Sequence, residues 1–173
     1  MHQHLQPILG ASHPTPVGLL QIEVSQHALH AIYCQDNQAK KYLRERMLLP
    51  VNRAQRLHAQ SLIDATKHSL DRYFQGMLTH WELPLCMHGT DFQRSAWNAL
   101  RDIPYGKVIT YKEQARRMGH ANAYRAVGQA NACNPVLIVV PCHRVIRTGG
   151  DVGGYAAGVD IKQQLLAHER RFG

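Results

Sequence analysis

Helix starts and stops are densely spaced between residues 90 and 135, which leaves that stretch little freedom to fold as anything but short helices. Thr90 followed three residues later by Gln93 is a capping box, in which each side chain satisfies an amide the first helical turn leaves free. It opens a helix with Phe92, Ala96, Trp97 and Leu100 on its inner face. Ile103-Pro104-Tyr105-Gly106 reads as a turn. Thr110 and Glu113 repeat the box, and Gly119 closes that second helix. Asn122 is predicted to cap a third helix running to about Cys133, where Asn134-Pro135 breaks it. Two short helices joined by Gly119-His120-Ala121-Asn122 have the pattern of a helix-turn-helix. The third helix carries Ala123, Ala126, Val127, Gly128 and Ala130, small side chains that let it approach a neighbouring helix or another surface closely.

The first half is punctuated more loosely. Residues 1–15 lack periodicity and are predicted to be a loose lead-in. Residues 17–24 and 28–34 are short, apolar and partly alternating, the pattern of a β-hairpin. Residues 54–75 read as a helix with Leu57, Ile63, Leu70, Tyr73 and Phe74 near one stripe and Gly76 as its stop. Residues 80–85 are a candidate returning strand. The division expected is an α/β lobe over 1–88 and a mainly helical domain over 89–173.

Charge and composition narrow the class. Lys and Arg number 20 against 12 Asp and Glu, a formal net charge of +8, and residues 91–173 hold 12 of those bases with 6 acids. A basic second half suits a polyanion such as nucleic acid, but charge alone leaves a soluble basic protein without such a partner equally open. A hydrophobic content of 45% argues against wholesale disorder. The longest apolar run, Val136–Val140, is far too short to span a bilayer, and Met1-His2-Gln3-His4 does not begin a secretory signal. A cytoplasmic monomer is expected, with Cys34, Cys86, Cys133 and Cys142 as free thiols.

The apolar run, read as a doubly buried strand, delivers the chain to Pro141-Cys142-His143-Arg144-Val145-Ile146. A thiol attacks only as thiolate, and a neighbouring base or cation lowers its pKa, so His143 and Arg144 are chemically apt beside Cys142. A glycine-rich loop follows around Tyr155. Asp160 with Gln163 is then predicted to open a last helix with Ile161, Leu165 and Leu166 inward, reaching Glu169.

The hexapeptide resembles the active-site signature of the O6-alkylguanine-DNA alkyltransferases, the methylated-DNA–protein-cysteine methyltransferases, in their bacterial form. Gly89-Thr90-Asp91-Phe92-Gln93, Ile103-Pro104-Tyr105-Gly106, Arg125-Ala126-Val127-Gly128, Asn134-Pro135, Gly154-Tyr155-Ala156 and Leu165-Leu166-Ala167-His168-Glu169 resemble further landmarks of that family, in order, over residues 89–170. The resemblance implies a ribonuclease-H-like α/β lobe and a winged helix-turn-helix-like DNA-binding unit. It implies single-turnover transfer of an alkyl group from O6 of guanine, and from O4 of thymine, in flipped-out nucleotides of double-stranded DNA to Cys142. His143 would take the thiol proton through a water, Glu169 would orient the imidazole, and Asn134 would support the cysteine region. Tyr111 would displace the target phosphate and pass a proton to the departing guanine. Arg125 would fill the gap in the base stack, with Thr110, Asn122, Ala123, Tyr124 and Ala126 on the DNA. Tyr155, Ala156, Val145 and Val152 would surround the base. Arg94, Lys107, Lys112, Arg116 and Arg117 are expected to meet phosphates. No cofactor is implied.

Four positions depart from the family pattern. Ala157 replaces a common glycine, which would narrow the alkyl pocket. Ala156 has no hydroxyl for the base, Asp160-Ile161 replaces a basic pair, and Tyr124 stands where small residues are usual. Cys34, Cys86, His30 and His88 lack tight paired spacing, and nine of the twelve histidines fall in residues 1–90, so no metal is expected. Three rival readings fit less well: a lesion binder without transfer would lack the cysteine, a thiol-sensing regulator would need an effector segment, and a thiol hydrolase would need an oxyanion hole.

Overall fold

The computed structural model describes residue 6, residues 8–34 and residues 52–173, so Met1–His4 lie outside the described residues. The chain divides into two units, Met1–Met87 and His88–Gly173.

In the first unit, β1 (Leu9–Thr15), β2 (Gly18–Val24) and β3 (Leu29–Cys34) form an antiparallel sheet in that order. The predicted hairpin is β2–β3, with Ile22 opposite Ile32 and both buried. The loose lead-in is overturned for residues 9–15, which pair with β2 from Leu9↔Val24 to Thr15↔Gly18. Their alternation lies in burial rather than hydropathy, because Ala11, His13 and Thr15 share the covered side with Leu9. Helix α1 (Arg53–Phe74) begins at an Asn52–Gln55 capping box and buries Ala59, Ile63, Thr66, Leu70 and Tyr73. Leu57 does not belong to that stripe and is 62% exposed. The candidate strand over 80–85 reduces to one parallel bridge, Leu29↔Leu85. Pro84, which has no amide hydrogen, contributes only its carbonyl there, to Leu29 N.

In the second unit, α2 (Asp91–Arg101) opens on Thr90 and Gln93 with both halves of the box made. A Cβ on Gly89 would sit 2.6 Å from the Trp97 ring, so glycine is required where the chain crosses that indole. Trp97 Nε1 donates to Ala130 O at 2.8 Å. Strand β4 (Ile109–Thr110) leads into α3 (Tyr111–Arg117), where Thr110 accepts from Glu113 N. The return half of that predicted box is not made, because the Glu113 carboxylate is taken by Arg116 and Arg117. Helix α4 spans Tyr124–Ala132, and its cap is Ala123, not Asn122: a turn closed by Ala123 N donating to His120 O carries the chain one residue further. Gln114 and Asn131, both buried, exchange amide hydrogen bonds and lock α3 to α4.

Val136–Val140 is buried throughout but is not a strand. Val139 N bonds Leu137 O, Val140 N bonds Val136 O, and Ile138 takes a φ of 71°, so the segment coils on itself. A short 3-10 turn, Cys142–Arg144, precedes β5 (Val145–Ile146), which runs parallel to β4. Helix α5 (Val159–Phe172) starts at Gly158 without a side-chain cap. The predicted Asp160–Gln163 start is therefore overturned; Asp160 lies in the first turn, where its charge suits the helix dipole. The buried face is Lys162, Leu165, Leu166 and Glu169, with Ile161 only half-buried. Among the described residues no helix is long and apolar enough to cross a membrane.

Candidate active site

Cys142 is 4% exposed and lies against a cavity of about 760 Å³ in the second unit. Asn134, at the break between α4 and the coiled apolar run, organises the approach to it. Its Oδ1 accepts from Val136 N at 3.0 Å, and its Nδ2 donates to Val140 O at 2.7 Å and to Cys142 Sγ at 3.1 Å. One side chain thus supplies bonds that a strand ladder would otherwise make, and directs a donor at the sulfur.

Behind the sulfur lies a buried ionic group. His143, fully buried, meets Glu169 Oε1 through Nε2 at 2.8 Å. A carboxylate only accepts, so Nε2 carries the proton and Nδ1 presents its lone pair. Nδ1 is buried and has no hydrogen-bond partner. Arg144 grips the same carboxylate, Nε to Oε2 at 2.8 Å and Nη2 to Oε1 at 3.0 Å, and donates from Nη1 to Ile103 O at 2.6 Å. Gly106 N donates to Glu169 Oε2 at 3.1 Å. Gly106 has a φ of 71°, and a Cβ there would stand 3.2 Å from Glu169 O, so the turn at 103–106 reaches the carboxylate only as glycine.

The electrostatics follow from burial. Burial works against the charged form of Glu169, but the His143 hydrogen bond and the Arg144 guanidinium outweigh it and hold the carboxyl at about 2. Burial pushes His143 below the usual imidazole range against the pull of Glu169, so the ring is neutral at neutral pH. Burial pushes the Cys142 thiol up to about 11, offset in part by the Asn134 bond and the Lys162 charge. The positive charge of Arg144, expected beside the sulfur, is instead committed to Glu169. The resting sulfur is a thiol, and its proton must be removed as it reacts.

Of the sequence-predicted residues, Tyr111, Tyr124, Arg125, Cys142, Tyr155 and Ala156 line the cavity. His143, Asn134 and Glu169 stand behind it, and His143 meets the Tyr155 ring edge-on with centroids 6.3 Å apart. Val145 is buried in β5, Val152 is half-buried in the loop, and neither lines the cavity; Ala157 is buried and does not line it either. Thr110 caps α3, while Asn122, Ala123 and Ala126 lie at the start of α4 outside the lining. Tyr124 is 37% exposed, with Lys112 Nζ and Arg125 Cζ 5.9 and 5.8 Å from its ring centroid. Among the expected phosphate contacts, Arg116 and Arg117 pair with Glu113, and Arg94 with Asp91. Sequence reasoning missed Arg147 and Thr148 in the lining, and Lys162 beneath it. In the first unit, His30 and Cys86 have donor atoms within 4.8 Å of one another, and Cys34, at the end of β3, is not with them.

The family model described as 6-O-methylguanine DNA methyltransferase, DNA binding domain, matches residues 91–171. A methylated-DNA–protein-cysteine methyltransferase of Methanosarcina barkeri is 54% identical over 100 residues, 58% of this chain and 63% of that protein. One from Mycolicibacterium paratuberculosis is 52% identical over 102 residues, 59% of this chain and 62% of its own length. The sequence match thus spans less than two thirds of these curated relatives. A crystal structure of Mycobacterium tuberculosis OGT in complex with DNA superposes with a TM-score of 0.80 at 34% identity, covering 95% of this chain and 94% of that one. The O6-methylguanine-DNA methyltransferase of Pyrococcus kodakaraensis shares the fold, with a TM-score of 0.59 at 22% identity.

Proposed function

The chain belongs to the methylated-DNA–protein-cysteine methyltransferase family, and from that premise we propose that it repairs double-stranded DNA by moving an alkyl group from O6 of guanine, and from O4 of thymine, to Cys142. The observation that carries the reading is a cysteine at a cavity wall with a neutral, carboxylate-anchored histidine behind it. The finer architecture that accompanies the reading is a ribonuclease-H-like first unit and a winged helix-turn-helix in the second.

Cys142 Sγ attacks the alkyl carbon in line. The S–C bond forms as the C–O6 bond breaks, and the electron pair leaves with the guanine. The thiol proton passes through a bridging water to His143 Nδ1, and Glu169, held ionised by Arg144, stabilises the imidazolium. Tyr111 gives its hydroxyl proton to the departing guanine and regains one from solvent. The thioether is not cleaved, so each molecule acts once.

O6 is not accessible in line within a duplex, so the nucleotide must be extruded, at a cost of a few kcal/mol that is least for a damaged pair. Arg125, exposed at the start of α4, fills the vacated stack, and Tyr155 supports the flipped base. Ala123 and Ala126 let α4 enter a narrow groove, and Lys107 and Lys112 hold phosphates without regard to sequence.

Incubation with a duplex containing O6-methylguanine, followed by intact-mass measurement, tests this. One added methyl on the wild type and none on Cys142→Ser is expected. No gain in mass, or catalytic turnover of the duplex, overturns the reading.

A further inference from the structure

The cavity at Cys142 is lined by the cations Lys112, Arg125 and Arg147 and, among the described residues, by no acid. Lys112 and Arg125 come from α3 and α4 and flank the Tyr124 ring. Arg147 comes from a different element, the loop that follows β5. There Arg147 N donates to Asp151 O at 2.8 Å and Gly150 N donates to Arg147 O at 3.2 Å, closing a turn. Packing places the base of the Arg147 side chain. A Cβ built on Gly153 would stand 3.4 Å from Arg147 Cγ and 3.4 Å from Tyr111 Cε2, so the arginine stem and the tyrosine ring meet over one glycine. The guanidinium is not held in the same way. Arg147 Nη1 lies 3.7 Å from Asp151 Oδ1, longer than a hydrogen bond, and both side chains are 64% exposed. That carboxylate oxygen is engaged elsewhere, accepting from Gly153 N at 2.6 Å.

We propose that Arg147 and Asp151 form a counter-ion exchange beside the cavity: Asp151 holds the guanidinium in the free protein, and a backbone phosphate of bound DNA takes it over. The proposal rests on the function given above, because it names a contact made as the duplex engages. A long, water-screened ion pair contributes little, so little is lost when a better anion replaces the carboxylate. A phosphate is the better anion here. Two of its oxygens match the planar fork of the guanidinium, and binding it releases counterions from the DNA. A nucleotide drawn into the cavity carries a phosphate on each side of its sugar. Lys112 and Arg125 offer charge from the helices, and Arg147 is the lining residue that offers it from the loop. The positive charge of Arg147 also reaches the Tyr111 hydroxyl, in the same wall. Asp151 keeps its bond to Gly153 N when the guanidinium leaves, so the loop holds its shape through the exchange.

The test is equilibrium binding of an end-labelled unmethylated duplex to the full-length protein, followed by fluorescence anisotropy across a series of KCl concentrations. Arg147→Gln is expected to weaken binding about fivefold at low salt and to lower the slope of log affinity against log salt by about one. Arg147→Lys is expected to keep the slope and lose about twofold, because the charge stays and the fork does not. Asp151→Asn retains an acceptor for Gly153 N and is expected to tighten binding about threefold. In the double variant Arg147→Gln/Asp151→Asn most of that gain is expected to disappear, because no guanidinium remains to be released. An unmoved slope in Arg147→Gln overturns the proposal. The full Asp151→Asn gain in the double variant also overturns it, since Asp151 would then act by simple repulsion of DNA. Methyl transfer from a duplex carrying O6-methylguanine is measured alongside. A wild type that binds DNA but accepts no methyl sinks the repair reading, while the slopes still decide the exchange.

Discussion

The buried floor and the exposed rim of the cavity both carry charge, and they hold it differently. On the floor, Glu169 is shared by His143, Arg144 and Gly106 N, with each partner on a different atom or lone pair. On the rim, the Tyr124 ring has Lys112 and Arg125 beside it, and elsewhere on α3 Glu113 holds Arg116 and Arg117 at the surface. Floor charges were desolvated on folding and respond to pH and to loss of a partner. Rim charges are screened by water and respond to salt and to a competing polyanion. On the proposed function the chemistry belongs to the floor and DNA engagement to the rim, and perturbing each should produce a distinct signature.

The largest effect is expected from Glu169→Gln. It leaves the Arg144 guanidinium buried without its counter-charge, which costs about 3–5 kcal/mol of stability. It also removes the anchor of the His143 tautomer, slowing transfer about 10²–10⁴-fold. Denaturant unfolding and single-turnover rates check both, and near-wild-type values for both would detach Glu169 from the mechanism.

Next is Arg125→Ala, a rim change. Reaction with free O6-benzylguanine should persist while reaction with a methylated duplex falls about a hundredfold, the equivalent of the few kcal/mol that extrusion requires. Equal loss on both substrates would place Arg125 on the floor.

Acid provides a third test. The Glu169 carboxyl is held at about 2, below its ordinary value, so its contribution to stability is present above the unfolded carboxylate range and is lost as pH falls from about 4.5 toward about 2. Urea midpoints of the wild type should fall through that window, and those of Glu169→Gln should fall less. The smallest effect is expected from Glu113→Gln, which releases Arg116 and Arg117 and should strengthen duplex binding a few-fold. That gain should fade at high salt.

The same contrast explains what could be read from residues alone. Features set by neighbours in sequence were legible: the Thr90–Gln93 box, the β2–β3 hairpin, and the Cys142–His143 pair that the family resemblance singled out. Features set by the buried surroundings were not. Five consecutive apolar residues look like a strand, but Asn134 takes up the bonding of the segment and Ile138 turns it at positive φ. Arg144 was read as a partner for the thiol because it is near in sequence, whereas folding brings Glu169 to it from 25 residues away. Lys162 offered no signal, since lysine on an amphipathic helix is ordinarily exposed and only the packed structure shows its two carbonyl partners. Asn122 lost the cap to Ala123 because of a turn closed through His120, a distinction of one residue that residue preference does not settle.

The proposed function makes Cys142 the alkyl acceptor, consumed by the reaction. The most direct measurement titrates the protein with a duplex bearing isotopically labelled O6-methylguanine and locates the label by peptide mapping. The account predicts a plateau of one methyl per chain, all of it on the peptide carrying Cys142 and none on those carrying Cys34, Cys86 or Cys133. A plateau above one, or label on Cys133, would contradict it.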